Sequence, residues 1–355
     1  MTTPLNVAVI CFPYFPSKDT GRGHDRYVWE LVENLRQGAY PPALRLIEHG
    51  FSKGLSAAFG KLSRLAKDLF SVHADVYHAI TPMGGAAAIL AGKRNVVVTI
   101  HDLIPFHVSG FDYGWKYSYV RFCTRLCATH AEALIVPYRV TKDEIVKSLK
   151  GVASRVHVVN YGVDHATYFP RPELARLPRR VLHIGEVSRS KGVDNLIRAF
   201  HLVKQSVPDA ELIIGGKPNE DQPLLEELSR SLGVKDVVFK GFIPEAELAT
   251  YYATTTLMVF PSRYGFGLSV LEAMACGTPV VAAAALDAPE FVGDAGILVD
   301  PDDVEGLAES MRRVLTEPAL QSSLAQKGIE RAHRYSWANT AVGTREVYES
   351  VARGA

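Results

Sequence analysis

The sequence has no long hydrophobic run, few cysteines and almost no charge excess. Its longest apolar stretches, such as Val280 to Leu286, fall far short of the roughly 18–20 residues that cross a bilayer, and no signal-type apolar core precedes Lys18. The 39 basic and 38 acidic residues leave a net charge of +1, whereas nucleic-acid-binding proteins usually carry a basic excess. We therefore expect no membrane span, no export signal and no binding of nucleic acid.

The four cysteines form no CxxC pair and no cluster with the spacing of metal ligands. Such usage is typical of reduced thiols in a reducing compartment, so we expect a cytoplasmic protein. Cys123 and Cys127 lie one helical turn apart, which predicts packing rather than chemistry.

Length and patterning predict two α/β domains. A chain of 355 residues holds about two domains of 100–200 residues. Short β-rich apolar runs alternate with helix-length segments, which favours right-handed βαβ crossovers and a doubly wound parallel sheet covered on both faces. The stretch 168–180 holds three prolines and four arginines and predicts a solvated linker, after which the alternation restarts with a strand from Arg180 to Gly185. The predicted parts are a domain at 1–167, a linker at 168–180, a second Rossmann-like domain at 181–335 and an amphipathic helix at 336–355.

Ligands of open α/β sheets bind beyond the carboxyl ends of the strands, so candidate residues are expected in the loops that follow strands. After a predicted strand from Thr256 to Pro261, Gly265 and Gly267 precede a helix that begins near Leu268 and contains Glu272. A glycine-flanked helix N-terminus offers unpaired N–H groups and the positive end of the helix dipole, which suit a diphosphate.

The run PSRYGFGLSVLEAMACGTPVV, with the strand before it and the strand after it, resembles the donor-binding signature of the retaining glycosyltransferases of family 4. The resemblance implies the GT-B fold, in which two Rossmann-like doubly wound domains face a central cleft. It also implies transfer of a sugar, with retention, from a nucleotide-diphosphate sugar to a hydroxyl of a glycan or lipid-linked glycan precursor, as in polysaccharide biosynthesis.

Further segments resemble elements of the same family. VTIHDLIPF implies that His101 lies beside the reacting sugar, and HIGEVSRSKG implies that Lys191 contacts the donor phosphates. AELIIGGK resembles the glycine turn that borders the nucleotide base, at Gly216, and HRYSWANTAVGTREVYESV resembles a terminal helix that crosses back to the first domain. Gly21 and Gly23 resemble the family's first glycine-rich loop, which would meet acceptor or phosphate. The HDLIP variant favours GDP-mannose as donor, with a UDP-sugar as the alternative.

Two positions depart from the family pattern. Tyr264 stands where the family usually has the first of two glutamates, and Glu272 is the second. Either Tyr264 and a neighbour replace the polar contacts of the missing glutamate, or the preferred sugar differs, or activity is lost. Glu186 replaces an arginine that in many members assists the phosphate lysine, and Arg189 is a candidate substitute.

The resemblance assigns a role to each candidate residue. The phosphates would be held by Lys191, Arg189 and the N–H groups from Gly265 through Phe266 and Gly267 to Leu268; Glu272 would hold the ribose and His101 the sugar. Catalysis would then be electrostatic and positional. We expect no cofactor and no metal, because Pro301 and the helical pattern after Asp303 make the Asp-x-Asp run at 300–302 a turn with an N-cap. The alternatives are a catalytically silent GT-B partner protein that binds a nucleotide or glycan, which the missing glutamate supports, and a nucleotide-sugar epimerase.

The first half of the chain is basic. Residues 1–165 carry a net charge of +6 and the remainder −5, which either indicates an anionic partner or arises by chance. Within 51–70, Leu55, Phe59, Leu62 and Leu69 line one face, while basic side chains lie elsewhere. This amphipathic pattern has two interpretations: a surface helix packed on the sheet, or a peripheral contact with the anionic inner face of the cytoplasmic membrane.

Overall fold

The computed structural model describes residues 5–12, 23–37, 42–48, 55–107 and 114–354, with no account of the side chains of 55–57. The chain divides into two compact units. The first comprises Met1–Tyr161 with Trp337–Ala355, and the second comprises Gly162–Ser336.

Strands and helices alternate along both units. The strands are β1 Asn6–Cys11, β2 Ala43–Glu48, β3 Val76–Ala79, β4 Val96–Thr99, β5 Ala133–Val136, β6 Val156–Val158, β7 Leu177–Ile184, β8 Glu211–Gly215, β9 Val237–Gly241, β10 Thr255–Phe260, β11 Val280–Ala283 and β12 Ile297–Val299. The helices are α1 Gly23–Gln37, α2 Leu55–Phe70, α3 Pro82–Leu90, α4 Ile104–His107, α5 Gly114–His130, α6 Arg139–Ser148, α7 Val193–Ser206, α8 Gln222–Ser231, α9 Glu245–Thr254, α10 Leu268–Ala275, α11 Ala288–Val292, α12 Val304–Thr316, α13 Pro318–Ala332 and α14 Trp337–Arg353. Short 3-10 helices occupy Ala153–Arg155, Arg189–Lys191 and Gly293–Ala295.

Each unit is built on a six-stranded sheet whose strands all pair in parallel. The orders are β2-β1-β3-β4-β5-β6 and β12-β11-β10-β7-β8-β9. The central strands β3, β4, β5, β10 and β11 are buried at every residue, because helices cover both faces of a parallel sheet. In each order the direction of chain progression reverses beside the unit's first strand, and such a switch point opens a crevice where ligands bind.

The segment predicted to be a linker, 168–180, belongs to the second unit instead. Tyr168 is fully buried and its ring lies 5.9 Å from that of Tyr252, and β7 begins at Leu177. Arg176 donates to the carbonyl oxygen of Gly277 at 2.6 Å, so this exposed arginine ties the segment to the second unit. The chain passes between the units at 161–162 and 336–337, and α14 packs within the first unit.

Helix α2 shows what covers the apolar face predicted within 51–70. Leu62, Leu65 and Leu69 are buried in the core of the first unit, whereas Arg64 and Lys67 are exposed. These leucines therefore pack on the protein, whereas Phe59 of the same predicted face is 42% exposed; residues 51–54 and the Leu55 side chain lie outside what is described. Among the described residues, none of the helices has the length and apolar character needed to span a bilayer.

All four cysteines are buried free thiols. Burial is the main cause that raises the pKa of Cys11, Cys123 and Cys276 to about 12, so these thiols stay protonated. The Cys127 thiol lies 3.2 Å from the Pro82 carbonyl oxygen, in agreement with a packing role.

Candidate functional site

The candidate residues of the second unit gather at its switch point. The neighbouring strands β7 and β10 run parallel, and their carboxyl ends are followed by the segments at Gly185–Gly192 and at Pro261–Gly267. These two segments carry most of the residues that the sequence singles out.

The loop before α10 depends on two glycines, because a side chain at either would collide with an aromatic ring. Gly265 has a φ of +157°, and a Cβ there would lie 2.8 Å from the Phe260 ring. Gly267, the N-cap residue of α10, has a φ of +73°, and a Cβ there would lie 2.6 Å from the Phe291 ring. Because Gly267 has no side chain with which to cap the helix, the first N–H groups of α10, from Leu268 onward, are available to an anion. Phe266, between the glycines, is half-buried.

Lys191 reaches this loop directly. Its Nζ donates to the Tyr264 carbonyl oxygen at 3.0 Å, and the Ser262 hydroxyl donates to the same oxygen. Gly192, with a φ of +73°, permits the approach, because a Cβ there would lie 2.5 Å from the Pro261 carbonyl oxygen. The fold thus places an ammonium group on the loop that leads into α10, although Lys191 and Tyr264 are 73 residues apart in sequence.

Gly216 directly follows β8 and lies against Gly185, which directly follows β7. Its φ is +152°, and a Cβ there would lie 1.6 Å from the Gly185 carbonyl oxygen, so only glycine fits. The Gly185 N–H donates to the Gly215 carbonyl oxygen at 3.0 Å. This turn lies at the carboxyl edge of the sheet, as the sequence predicts.

Glu272 is buried within α10, with 4% of its surface exposed. The Tyr252 hydroxyl donates to its Oε2 at 3.0 Å. The sequence analysis assigned Glu272 to a ribose and missed this phenol, although a buried carboxylate in an apolar helix demands a donor from a neighbouring element.

Arg189 was expected to assist Lys191, and Glu186 replaces an arginine of the family. Each of them contacts another polar side chain. The Arg189 guanidinium is 64% exposed and its Nε lies 4.0 Å from the Asp194 carboxylate, while its backbone N–H donates to Asp221 at 2.8 Å. Glu186 accepts from the Asn219 amide at 3.0 Å. The structure therefore brings Lys191 to the loop of Tyr264 and pairs Arg189 with an acid.

His101 follows β4 in the first unit and is 5% exposed. Its Nδ1 lies 2.7 Å from the Tyr161 hydroxyl, and its Nε2 lies 2.9 Å from the Ile80 carbonyl oxygen. Burial lowers its pKa to about 4, against a smaller opposing effect of the Ile80 bond. The rings of His24 and Tyr27 meet it edge-on, at 4.6 and 4.9 Å between centroids.

Two further predictions concern the glycines Gly21 and Gly23 and the acidic run at 300–303. Gly23 is the first residue of α1, whereas Gly21 lies outside the described residues. Asp303 caps α12 by accepting from the Gly306 N–H at 2.8 Å, and the Asp302 N–H donates to Asp300, so this run forms a turn and an N-cap. Within the part of the chain that the structure describes, histidines, cysteines and acids form no group of three or more suited to a metal ion.

Family models match both halves of the chain. Residues 7–167 match the model described as Glycosyltransferase Family 4, and residues 178–317 match the model described as Glycosyl transferases group 1.

Named proteins show the same likeness. O-antigen chain mannosyltransferase B of Escherichia coli is 27% identical over 269 residues, which cover 72% of this chain and 70% of that protein. Glycogen synthase of Mycobacterium tuberculosis (strain H37Rv) is 30% identical over 305 residues, which cover 83% of this chain and 73% of that protein.

Solved structures share the fold at low identity. Sucrose-phosphate synthase from Thermosynechococcus elongatus superposes with a TM-score of 0.85 at 22% identity, over 99% of this chain and 100% of that one. HepE from Anabaena, solved in complex with UDP-glucose, gives a TM-score of 0.77 at 19% identity, over 98% and 100% of the two chains.

Proposed function

Since this chain belongs to the group 1 glycosyltransferases, with a family 4 first half, we propose that it transfers a sugar, with retention at the anomeric carbon, from a nucleotide-diphosphate sugar to a hydroxyl of a glycan or lipid-linked glycan precursor. The observation that carries this proposal is the contact between Lys191 and the loop before α10. An ammonium group beside an uncapped helix N-terminus is suited to a diphosphate, on which negative charge builds as the sugar departs.

The remaining candidates complete a donor site. The bond from Tyr252 orients the Glu272 carboxylate, and carboxylate oxygens accept hydrogen bonds from hydroxyl groups. A ribose diol can supply the donors, so we assign Glu272 to the ribose, Gly216 to the edge of the base and His101 to the sugar. The diphosphate is held by backbone N–H groups and Lys191 without a metal or other cofactor.

We assign GDP-mannose as the first donor to test and a UDP-sugar as the second. The HDLIP sequence around His101 and the likeness to a mannosyltransferase support the former. The fold shared with a protein solved with UDP-glucose keeps the latter in the test.

Replacing Lys191 with Ala tests the site. We expect the Kd of GDP or UDP to rise roughly 10- to 150-fold, because a charge-assisted hydrogen bond contributes about 1.5–3 kcal/mol. Lys204 offers a matched control: its Nζ also bonds a backbone carbonyl oxygen, that of Ala210 at 3.0 Å, but pairs with Asp236 away from the loop. Calorimetric titration should show a change below twofold for Lys204→Ala, and a change that small for Lys191→Ala would remove the lysine from the phosphate site.

Turnover distinguishes a transferase from a silent partner protein, the alternative that Tyr264 supports. The expected result is slow hydrolysis of one donor without acceptor and, with acceptor, a product whose anomeric configuration by NMR equals that of the donor. Binding of diphosphate without hydrolysis or transfer of any donor would favour the silent protein.

The surface formed by α2 and α5 supports a contact with an anionic membrane through Phe59, the exposed member of the predicted apolar face, rather than through its buried leucines. Phe59 and Phe122 are 42% and 49% exposed, and the Phe59 ring lies 5.1 Å from that of Tyr119. Arg64 and Lys67 are exposed on α2, in the half of the chain with a net charge of +6. Exposed aromatic rings beside basic side chains match the interface of an anionic bilayer.

Charge reversal tests this membrane contact. Arg64→Glu with Lys67→Glu should reduce sedimentation with vesicles of anionic lipid, because each basic residue near such a surface contributes about 1 kcal/mol. Reversing Arg230 and Lys327, which are exposed in the second unit, should leave sedimentation unchanged. If the parent protein fails to bind these vesicles at low salt, the surface has another role.

A further inference from the structure

Both ring nitrogens of His101 are engaged by the first unit itself. Nε2 lies 2.9 Å from the Ile80 carbonyl oxygen, which can only accept, so Nε2 carries the proton. In a neutral ring Nδ1 then holds the lone pair, and the Tyr161 hydroxyl, 2.7 Å away, is its donor. The two bonds together specify one tautomer.

The surroundings keep this ring neutral. Burial holds the pKa of His101 at about 4. The titratable groups facing it are His24 and Tyr27 from α1, His78 from β3 and Tyr161; His78 is itself buried and neutral at pH 7, with a pKa of about 3. To bind a second proton at Nδ1, His101 would have to give up the bond that Tyr161 donates.

Tyr161 is placed to hold this bond firmly. It is 2% exposed and is the last residue of the first unit before the chain enters the second. Its ring lies 5.5 Å from that of Tyr27, 5.8 Å from that of Tyr138 and 6.4 Å from that of Trp337, the residue at which the chain returns. Three aromatic contacts restrict the ring, so its hydroxyl has a fixed position relative to Nδ1.

We propose that Tyr161 is a positioning residue for sugar transfer, whose hydroxyl locks His101 in the neutral Nε2–H tautomer. The proposal rests on the proposed function, in which His101 lies at the donor sugar. The sugar becomes oxocarbenium-like and positively charged as the diphosphate leaves, and a cationic histidine beside it would oppose that charge. A ring that stays neutral stabilises the transition state relative to one that protonates.

The first unit contains a matched control. The Tyr348 hydroxyl lies 2.7 Å from Nδ1 of His78, the same distance and the same atom type, and both residues are fully buried. His78 Nε2 bonds the Thr99 hydroxyl at 2.8 Å rather than a carbonyl oxygen. Tyr348→Phe thus removes an equivalent hydroxyl from a histidine that has no proposed role at the sugar.

The experiment compares Tyr161→Phe and Tyr348→Phe in the full chain. We expect Tyr161→Phe to lower kcat about tenfold, the equivalent of about 1.4 kcal/mol and of one hydrogen bond, with the donor KM within twofold. The deficit should deepen between pH 7.5 and pH 5.5, because the Nδ1 lone pair no longer accepts the hydroxyl proton of Tyr161 and is free to bind a proton as the pH falls. Tyr348→Phe should leave kcat within about twofold and the pH profile unchanged.

Nitrogen NMR of ¹⁵N-histidine-labelled protein reads the ring without using activity. The His101 signals, assigned by their loss in His101→Gln, should show a neutral Nε2–H tautomer in the wild type and a displaced Nδ1 shift in Tyr161→Phe. An Nδ1–H tautomer or an imidazolium in the wild type overturns the proposal, even if Tyr161→Phe fails to fold. Equal losses of kcat in both variants also overturn it, since they indicate a structural role for both hydroxyls. A locked tautomer in a protein that transfers no sugar would instead overturn the proposed function, and with it the role of Tyr161 in transfer.

Discussion

The two units hold their candidate residues in opposite ways. In the second unit, the loop before α10 offers backbone N–H groups and accepts a hydrogen bond from Lys191. The shape of this loop depends on glycines, which have no side chain. In the first unit, His101 is enclosed by aromatic rings and both of its nitrogens already have partners. A loop of backbone donors can bind an anion, whereas an enclosed ring can only present a fixed shape and charge. We therefore assign binding of the diphosphate to the second unit and control of the sugar's surroundings to the first.

The sharpest way to break this comparison is Gly267→Ala. The new Cβ would meet the Phe291 ring at 2.6 Å and force an L residue to a φ of +73°. Strain and overlap cost about 1–3 kcal/mol each, and relief of the overlap requires a shift of the buried Phe291 ring or of the first turn of α10. We expect the affinity for nucleoside diphosphate to fall more than about 100-fold, the loss of several backbone hydrogen bonds at once.

Gly233→Ala is the matched control for that substitution. Gly233 has a similar φ of +63° in the same unit, but no atom lies within 4 Å of its added Cβ. Thermal unfolding should show the cost of strain in both variants, and calorimetric titration should show loss of binding in Gly267→Ala alone. Equal affinities in the two variants would mean that the loop before α10 does not hold the diphosphate.

Gly265 and Gly267 are the candidate residues that are easiest to find from the sequence, because the strand, the two glycines and the helix follow one another directly in the chain. The family and the GT-B fold predicted from the signature are confirmed by the family models and by the two parallel sheets. The strands predicted at Arg180–Gly185 and Thr256–Pro261 are observed at Leu177–Ile184 and Thr255–Phe260, since β-rich runs bounded by turn residues carry their own pattern. In contrast, β12 was not predicted, because three half-buried residues show no periodicity.

The partners of the candidate side chains could not be predicted from the sequence. Tyr161 lies 60 residues from His101 and Tyr252 lies 20 residues from Glu272, and only the tertiary fold selects them from 15 tyrosines. Segment 168–180 differs from the predicted linker for a related reason: most of its residues are exposed, as its composition suggests, but the fold buries Tyr168 and bonds Arg176 to the Gly277 carbonyl oxygen within the second unit. Local chemistry predicts which groups need partners, and packing decides which partners they have.

Lowering the pH should destabilise the first unit more than the second. Burial holds the pKa of His78 at about 3 and that of His101 at about 4 in the first unit, and that of His183 at about 4 in the second. These folded-state pKa values lie below the ordinary 6.5, so the unfolded chain binds more protons as the pH falls. The stabilisation is complete above pH 6.5 and is lost toward pH 4, at about 1.4 kcal/mol for each unit of pKa difference.

Hydrogen exchange followed by mass spectrometry measures this difference. At pH 5, after correction for the intrinsic exchange rate, β3 and β4 should lose more protection relative to pH 7 than β7 does. His183→Phe should reduce the acid sensitivity of β7 and leave that of β3 unchanged. Equal loss of protection in both units of the wild-type protein would contradict the assignment of two neutral buried histidines to the first.

The smallest expected effect concerns Tyr264, where the second unit departs from its family. The loop uses the backbone of this residue, since its carbonyl oxygen accepts from Lys191 and its N–H donates to the Ser262 hydroxyl at 3.1 Å. Substitution of the side chain should therefore leave diphosphate affinity within about threefold, less than one hydrogen bond contributes.

A phenol offers one donor and acceptor group, whereas a carboxylate accepts several hydrogen bonds, so Tyr264→Glu should change which sugar is preferred. The measurement is kcat/KM for GDP-mannose and for UDP-glucose in the parent, in Tyr264→Glu and in Tyr264→Ala. A changed ratio of the two donors at constant diphosphate affinity would place the side chain at the sugar; an identical ratio in all three proteins would show that this position does not discriminate between sugars.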